Sequence, residues 1–225
     1  TGKITVFKMP DPAAKDPHTG EFDKKGVFWF MLQQSNMVGR LDPATGDIKL
    51  AKVKTPGAKP YGIKIDADGT PWYACNGAAC LAKIDTATME LTEIKLPTPG
   101  TTVRRLDIAE DGMIWYANSG KGKIGRYNLK TGEIKEWDSP SGPESHPYAI
   151  AVVDGVVWYN ESGMRPDMLV RFDPKSERFQ SWAIPSGGVH AGIIRHMRPA
   201  RNGDLLIHQS STNRIGRVTP KTPGQ

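Results

Sequence analysis

The stretch DGMIWYANSGKGKIGRYNLKTGEI, Asp111 to Ile134, holds most of a unit that this chain repeats five times. Its tryptophan, Trp115, stands 43 residues after Trp72 and 43 before Trp158, and Trp29 lies another 43 upstream. Each tryptophan follows a glycine by three places, at Gly26, Gly69, Gly112 and Gly155, and a fifth frame keeps Gly203 but carries Leu206 in place of tryptophan. A second marker is VGR at Val38, echoed by LAK at Leu81, IGR at Ile124, LVR at Leu169 and IGR at Ile215. A third is LDPATGDI from Leu41, echoed by IDTATMEL, YNLKTGEI and FDPKSERF. One domain over residues 1–225 follows, with units at about 10–53, 54–96, 97–139, 140–184 and 185–220.

The turns say what each unit folds into. Asp68-Gly69, Asp111-Gly112, Asp154-Gly155 and Asn202-Gly203 are dipeptides that meet the positive φ of a tight hairpin, so strands flank them. YGIKID precedes such a turn, TPWYAC follows it, and segments like KIGRYN and EIKEWDSP supply two more strands. No window keeps a helical period. Four short antiparallel strands repeated every 40-odd residues are the signature of a β-propeller blade, so the fold class is all-β and the tryptophans are expected between blades. The first residues, TGKITVFKMP, match an outer fourth strand and NRIGRVTP matches a third, so residues 1–9 are expected to complete the last blade and close the ring, unless the chain is a segment of a larger propeller.

Composition bounds the function classes. The chain is 38% hydrophobic and 24% charged, which suits a core-forming globular protein. No apolar run approaches the roughly 18–20 residues that span a membrane, and Thr1 is followed by alternating strand-like residues instead of a signal region, so the chain reads as processed or excised. A net charge of +6 is spread through all units without a basic block, which gives no nucleic-acid module. No phosphate loop, nucleophile elbow or haem attachment motif occurs, so neither nucleotide nor haem is expected.

In a propeller the inner strands line a central funnel. Alignment on the tryptophans puts His18, Tyr61, Arg104, Tyr148 and Arg195 at the mouth, with Gln33, Asn76, Asn118, Glu161 and Gln209 in the loops after the second strands. These groups could bind a small-molecule ligand or merely solvate a channel, and the rim could take a protein partner. Glu161 has a structural reading too, as a hairpin-end carboxylate accepting backbone amides. The other histidines are His146, His190, His196 and His208; His190 and His196 flank one inner strand but lack close zinc-ligand spacing. Cys75 and Cys80 end one hairpin, where oxidation would give a cross-strand disulfide and imply an exported, periplasmic or secreted protein; two buried thiols are the other outcome.

DPHTGEFD, KPYGIKIDADGTPWY, DGMIWYANSGKGKIGRYNLKTGEI and HPYAIAVVDGVVWYNESG together resemble the blades of the streptogramin B lyase (virginiamycin B lyase) family over essentially the whole chain. The resemblance implies a seven-bladed ring, of which five units are present. It also implies a carbon–oxygen lyase, in which a histidine takes a proton beside a carbonyl and a divalent metal such as Mg²⁺, held by acidic residues, stabilises the enolate. The family's E-P-H motif is matched by Asp16-Pro17-His18, which makes His18 the base candidate, with Asp16 and Glu161 as acidic metal or substrate ligands. Gln33 stands where an acid is expected, and Tyr61 and Tyr148 occupy P-H-A-I positions that hold a second histidine in the family. Arg104 and Arg195 would then orient an anionic or carbonyl-bearing substrate.

Overall fold

The computed structural model describes residues 2–185, 193–210, 212 and 214–220. It is a five-bladed propeller. Blade one holds β1 (Pro17–Phe22), β2 (Phe28–Leu32), β3 (Met37–Leu41) and β4 (Ile48–Lys52), and blade two holds β5 (Pro60–Ile65), β6 (Pro71–Cys75), β7 (Cys80–Ile84) and β8 (Leu91–Lys95). Blade three is β9 (Val103–Ile108), β10 (Met113–Asn118), β11 (Lys123–Asn128) and β12 (Ile134–Asp138), and blade four is β13 (Pro147–Val153), β14 (Val156–Glu161), β15 (Met168–Asp173) and β16 (Arg178–Ala183). Blade five has three described strands, β17 (Ile194–Pro199), β18 (Leu205–Gln209) and β19 (Arg214–Val218). Every sheet is an antiparallel meander, and the first strands β1, β5, β9, β13 and β17 are neighbours in that order around the axis.

The repeated tryptophans explain why the blades stack. Trp29, Trp72, Trp115 and Trp158 are 1%, 4%, 3% and 5% exposed, and each packs onto apolar residues of the following blade. Trp29 shares a buried cluster with Ile63 and Tyr73, Trp72 with Leu106 and Ile114, Trp115 with Ile150 and Val157, and Trp158 with Ile194 and Leu205. Truncating one such tryptophan to alanine removes about 3–5 kcal/mol. Asp23 and Asp66 fix the first two by accepting the indole N–H at 3.0 and 2.9 Å. The glycine of the VGR and IGR markers has its own reason: the Phe30 and Tyr116 rings lie across Gly39 and Gly125 so closely that a Cβ would fall 2.2 and 2.0 Å from them.

Two expectations are corrected. Only Asp154-Gly155 has positive φ at both residues, as a two-residue hairpin turn needs; in the other blades the turn is one residue longer, with Gly69 N–H bonded to the Asp66 carbonyl and glycine alone in the left-handed region. Residues 3–8 form no strand and do not pair with β19, because Phe7 instead packs beside Gly46 of blade one, leaving Ile4 and Val6 87% and 86% exposed.

Candidate functional site

The funnel is built by a defect repeated in every first strand. In β1, Pro17 pairs with Leu32 and Gly20 with Phe30, so His18 and Thr19 together oppose Met31 alone. The same β-bulge sets Tyr61-Gly62, Arg104-Arg105 and Tyr148-Ala149 against single partners, and makes Arg195 the extra residue beside His196 in β17. A bulge interrupts side-chain alternation, so two consecutive residues reach the channel instead of one. Two levels result: an upper one of His18, Tyr61, Arg104, Tyr148 and Arg195, and a middle one of Thr19, Gly62, Arg105, Ala149 and His196. Below them alternation resumes.

At the upper level the two buried phenols, Tyr61 and Tyr148, are hydrogen-bonded hydroxyl to hydroxyl, with their rings edge-on and 6.3 Å apart. The His18 ring packs 4.4 Å from Tyr61, and its Nδ1 shares a 2.7 Å hydrogen bond with Thr19 Oγ1. Guanidinium groups surround the pair: Arg104 lies 5.8 Å over Tyr61 and 5.1 Å over Tyr148, Arg105 lies 5.1 Å over Tyr61, and Arg195 lies 6.0 Å over Tyr148. Burial, then the bond to Tyr148, pushes the Tyr61 phenol up, so it stays protonated and is no base at neutral pH. Burial, then Arg105, pushes His18 below its usual value against the opposing pull of Asp16, which keeps its imidazole neutral.

At the middle level Arg105 donates from Nη1 to Thr19 Oγ1 at 3.3 Å and from Nη2 to His196 Nε2 at 2.9 Å. A guanidinium offers no lone pair, so His196 Nε2 is the acceptor and its ring is neutral with the proton on Nδ1. Burial, then Arg105 and Arg198, holds His196 down at about 4. Among the described residues Arg104, Arg105 and Arg195 have no carboxylate within ion-pair distance, and the Nε of both Arg104 and Arg105 is buried without a partner. The lower level differs, because Lys64 pairs with Asp107 at 3.1 Å and Arg198 with Glu21 at 3.8 Å, joining blade five to blade one.

Other residues singled out in the sequence fall elsewhere. Glu161 is fully buried and spent on structure, accepting from Ser139 Oγ at 2.6 Å, Ser141 N at 3.0 Å and Ser141 Oγ at 2.5 Å. Glu136 does the same work one blade earlier for Thr98, Tyr116 and Asn118. Strand register shows that the residues matching Asn118, Glu161 and Gln209 are Leu32 and Cys75, one place before Gln33 and Asn76. Asn118 and Gln209 are buried and tied to Thr101 and Thr212, so this set faces the blades and not the mouth. Cys75 and Cys80 form a disulfide with Cα atoms 5.3 Å apart. His146 is exposed near Glu144 and bonded to the Ser119 carbonyl, His208 sits 6.5 Å from His196, and His190 lies outside the described residues.

The acidic set implied by the resemblance does not fit a divalent metal. Asp16 is exposed, with φ of 60°, on the turn before β1, and the Glu161 oxygens are occupied by serines. No group of three or more His, Cys, Asp or Glu side chains is placed to hold a metal ion among the described residues. The middle level, which the sequence reading missed, had one sign: two adjacent arginines, Arg104-Arg105, in a strand where alternation would send one of them into the apolar space between blades.

Fold and site together define a β-propeller with a cationic, tyrosine-floored central funnel. The model of the virginiamycin B lyase family matches residues 47–224, and the chain belongs to that family. It is similar to virginiamycin B lyase from Staphylococcus aureus at 25% identity and a TM-score of 0.85, over 97% of this chain and 71% of that one. A catalytically inactive histidine-to-alanine variant of the same enzyme with quinupristin matches at 25% identity and a TM-score of 0.84, with the same coverage. A streptogramin B lyase structure shares the fold at 23% identity and a TM-score of 0.78, over 96% of this chain and 72% of that one. No curated protein matches the sequence.

Proposed function

We propose that the funnel mouth binds a small molecule carrying a carboxylate or an ester carbonyl, and that its chemistry is carbon–oxygen elimination with His18 as base. The observation that supports this is the pair of guanidinium groups, Arg104 and Arg195, that lie over the Tyr61–Tyr148 pair without carboxylate partners among the described residues, with a neutral histidine packed against it. His18 takes the proton α to the carbonyl, the C–H electron pair forms the new C=C bond, and the β C–O pair leaves with the carboxylate. Arg104 and Arg195 stabilise the negative charge that builds on the carbonyl oxygen. No step is assigned to a metal, because the acidic side chains present do not assemble one.

A second reading, a ligand-binding propeller without turnover, is favoured by Tyr61 and Tyr148, which stand where the family motif has histidine; burial keeps the Tyr61 phenol protonated, so it supplies no second base. Opening of a streptogramin B lactone and of a panel of small β-acyloxy esters by the wild-type chain and by His18→Ala separates the two. Turnover that falls by about 100-fold or more in His18→Ala supports the lyase. Equal turnover removes His18 from the mechanism, and saturable binding without turnover supports the binder. The disulfide supports an exported location, to be read from whether the native protein is isolated with Cys75 and Cys80 oxidised.

A further inference from the structure

We propose that the middle level of the channel is a separate binding site for a single small inorganic anion of halide size, held by Arg105 between blades one, three and five. It goes beyond the reading of the mouth: the two sites share Arg195, but this one is centred on Arg105 and His196 instead of Arg104 and His18. A cavity of about 20 Å³ lies on the axis here, lined among others by Thr19, Arg105, Ile150, Arg195, His196 and Met197. That is room for one water-sized occupant, since a water needs roughly 10–15 Å³ by this measure, and too little for phosphate or an organic acid.

The charge balance of the site asks for a negative occupant. Arg105 spends Nη1 on Thr19 and Nη2 on His196, both neutral, and its Nε is buried with no partner. Arg195 lines the same cavity without a carboxylate of its own. The carboxylates that reach this part of the channel are committed one level lower, Asp107 to Lys64 and the Val152 amide, Glu21 to Arg198. A half-buried guanidinium whose Nε is fully buried and whose partners are all neutral is costly, and an anion of matching size reduces that cost. Small residues leave room at this level: Ala149 lines the cavity, and Gly62 lets the first strands of blades two and three approach closely, since a Cβ there would stand 2.8 Å from the Arg104 carbonyl and 3.0 Å from Arg105 Cα. The apolar Ile63, Leu106 and Ile150 complete a mixed lining that suits a weakly hydrated halide better than a strongly hydrated oxyanion.

The test uses chloride in solution and bromide in crystals of the wild-type chain. Sodium chloride replacing sodium gluconate at constant ionic strength should raise Tm saturably, by about 3–5 °C at a tenfold excess over the dissociation constant. Bromide crystals should give one anomalous peak at the Arg105 guanidinium beside His196 and Thr19. Arg105→Gln should lose both signals and Arg104→Gln should keep both. Should Arg105→Gln fail to fold, Thr19→Val, which leaves the guanidinium in place, should weaken the chloride midpoint several-fold. A Tm with no saturable chloride response, a response unchanged in Arg105→Gln, or a bromide peak without any solution effect, meaning an adventitious ion only, would each overturn the proposal. Because the chloride response is assigned by its loss in Arg105→Gln and its retention in Arg104→Gln, failure here leaves the mouth reading standing, and failure of the lactone assay leaves this one standing.

Discussion

At the lower level of the channel every charge is answered, Lys64 by Asp107 and Arg198 by Glu21, whereas the two levels above hold Arg104, Arg105 and Arg195 with no carboxylate bound among the described residues. The same strands build both regions, so the fold does not dictate the difference. Paired charges in the lower channel tie blades together: Asp107 of blade three also accepts the Val152 amide of blade four at 2.8 Å. Unpaired charges above hold an electrostatic debt that a ligand can settle. On the proposed reading, structure and recognition are separated by two or three residues along each first strand, and the bulge is the device that separates them.

The sharpest way to break this comparison is to remove a charge from each region and ask which the fold misses. Asp107→Ala strands Lys64 and the Val152 amide, and should lower stability by about 2–3 kcal/mol in urea unfolding. A loss under about 0.5 kcal/mol would mean the lower pairs hold nothing together. A comparable effect is expected with pH. His196 has a folded pKa of about 4, depressed by burial and then by Arg105, Arg198, His208 and His18, against the usual value of 6.5. A depressed histidine contributes stability that is present above pH 6.5 and is lost as pH falls from there towards 4. Stability followed between pH 8 and roughly 4 should decline through that window, and His196→Gln should flatten the decline; an unchanged slope would place the titration elsewhere. The smallest effect belongs to the mouth. Arg104→Gln loses its stacking on two tyrosines but relieves crowding among cations, so ligand-free stability should change by less than about 1 kcal/mol.

Much of the fold could be read from the sequence because one tryptophan per unit marks a repeated physical need, the burial of a blade face against its neighbour. The upper level was legible for the same reason, since alignment on those tryptophans locates the start of each first strand. The middle level was not, because period-two alternation assigns Thr19 and Arg105 to the other face of the sheet, and only the register shifts between Pro17 and Gly20 and between Tyr116 and Asn118 reverse that. Glu161 misled for a related reason. A carboxylate at a strand end looks alike in sequence whether it faces a channel or a neighbouring loop, and here Ser139 and Ser141 claim it. The absence of a pairing between residues 3–8 and β19 was beyond sequence reach as well, since the strand-like pattern of Ile4 and Val6 says nothing about where Phe7 packs.

The claim that the upper channel is a recognition site for negative charge is tested most directly by calorimetric titration of the wild-type chain with benzoate and with its neutral isostere benzamide. Two charge-assisted hydrogen bonds to Arg104 and Arg195 should make the carboxylate bind at least about tenfold more tightly, with a preference that weakens as salt rises. In a chain carrying both Arg104→Gln and Arg195→Gln the preference should vanish, while Asp107→Ala, made in the lower channel, should retain it. Equal affinity for benzoate and benzamide in the wild-type chain, or a preference that survives loss of both arginines, would contradict the account.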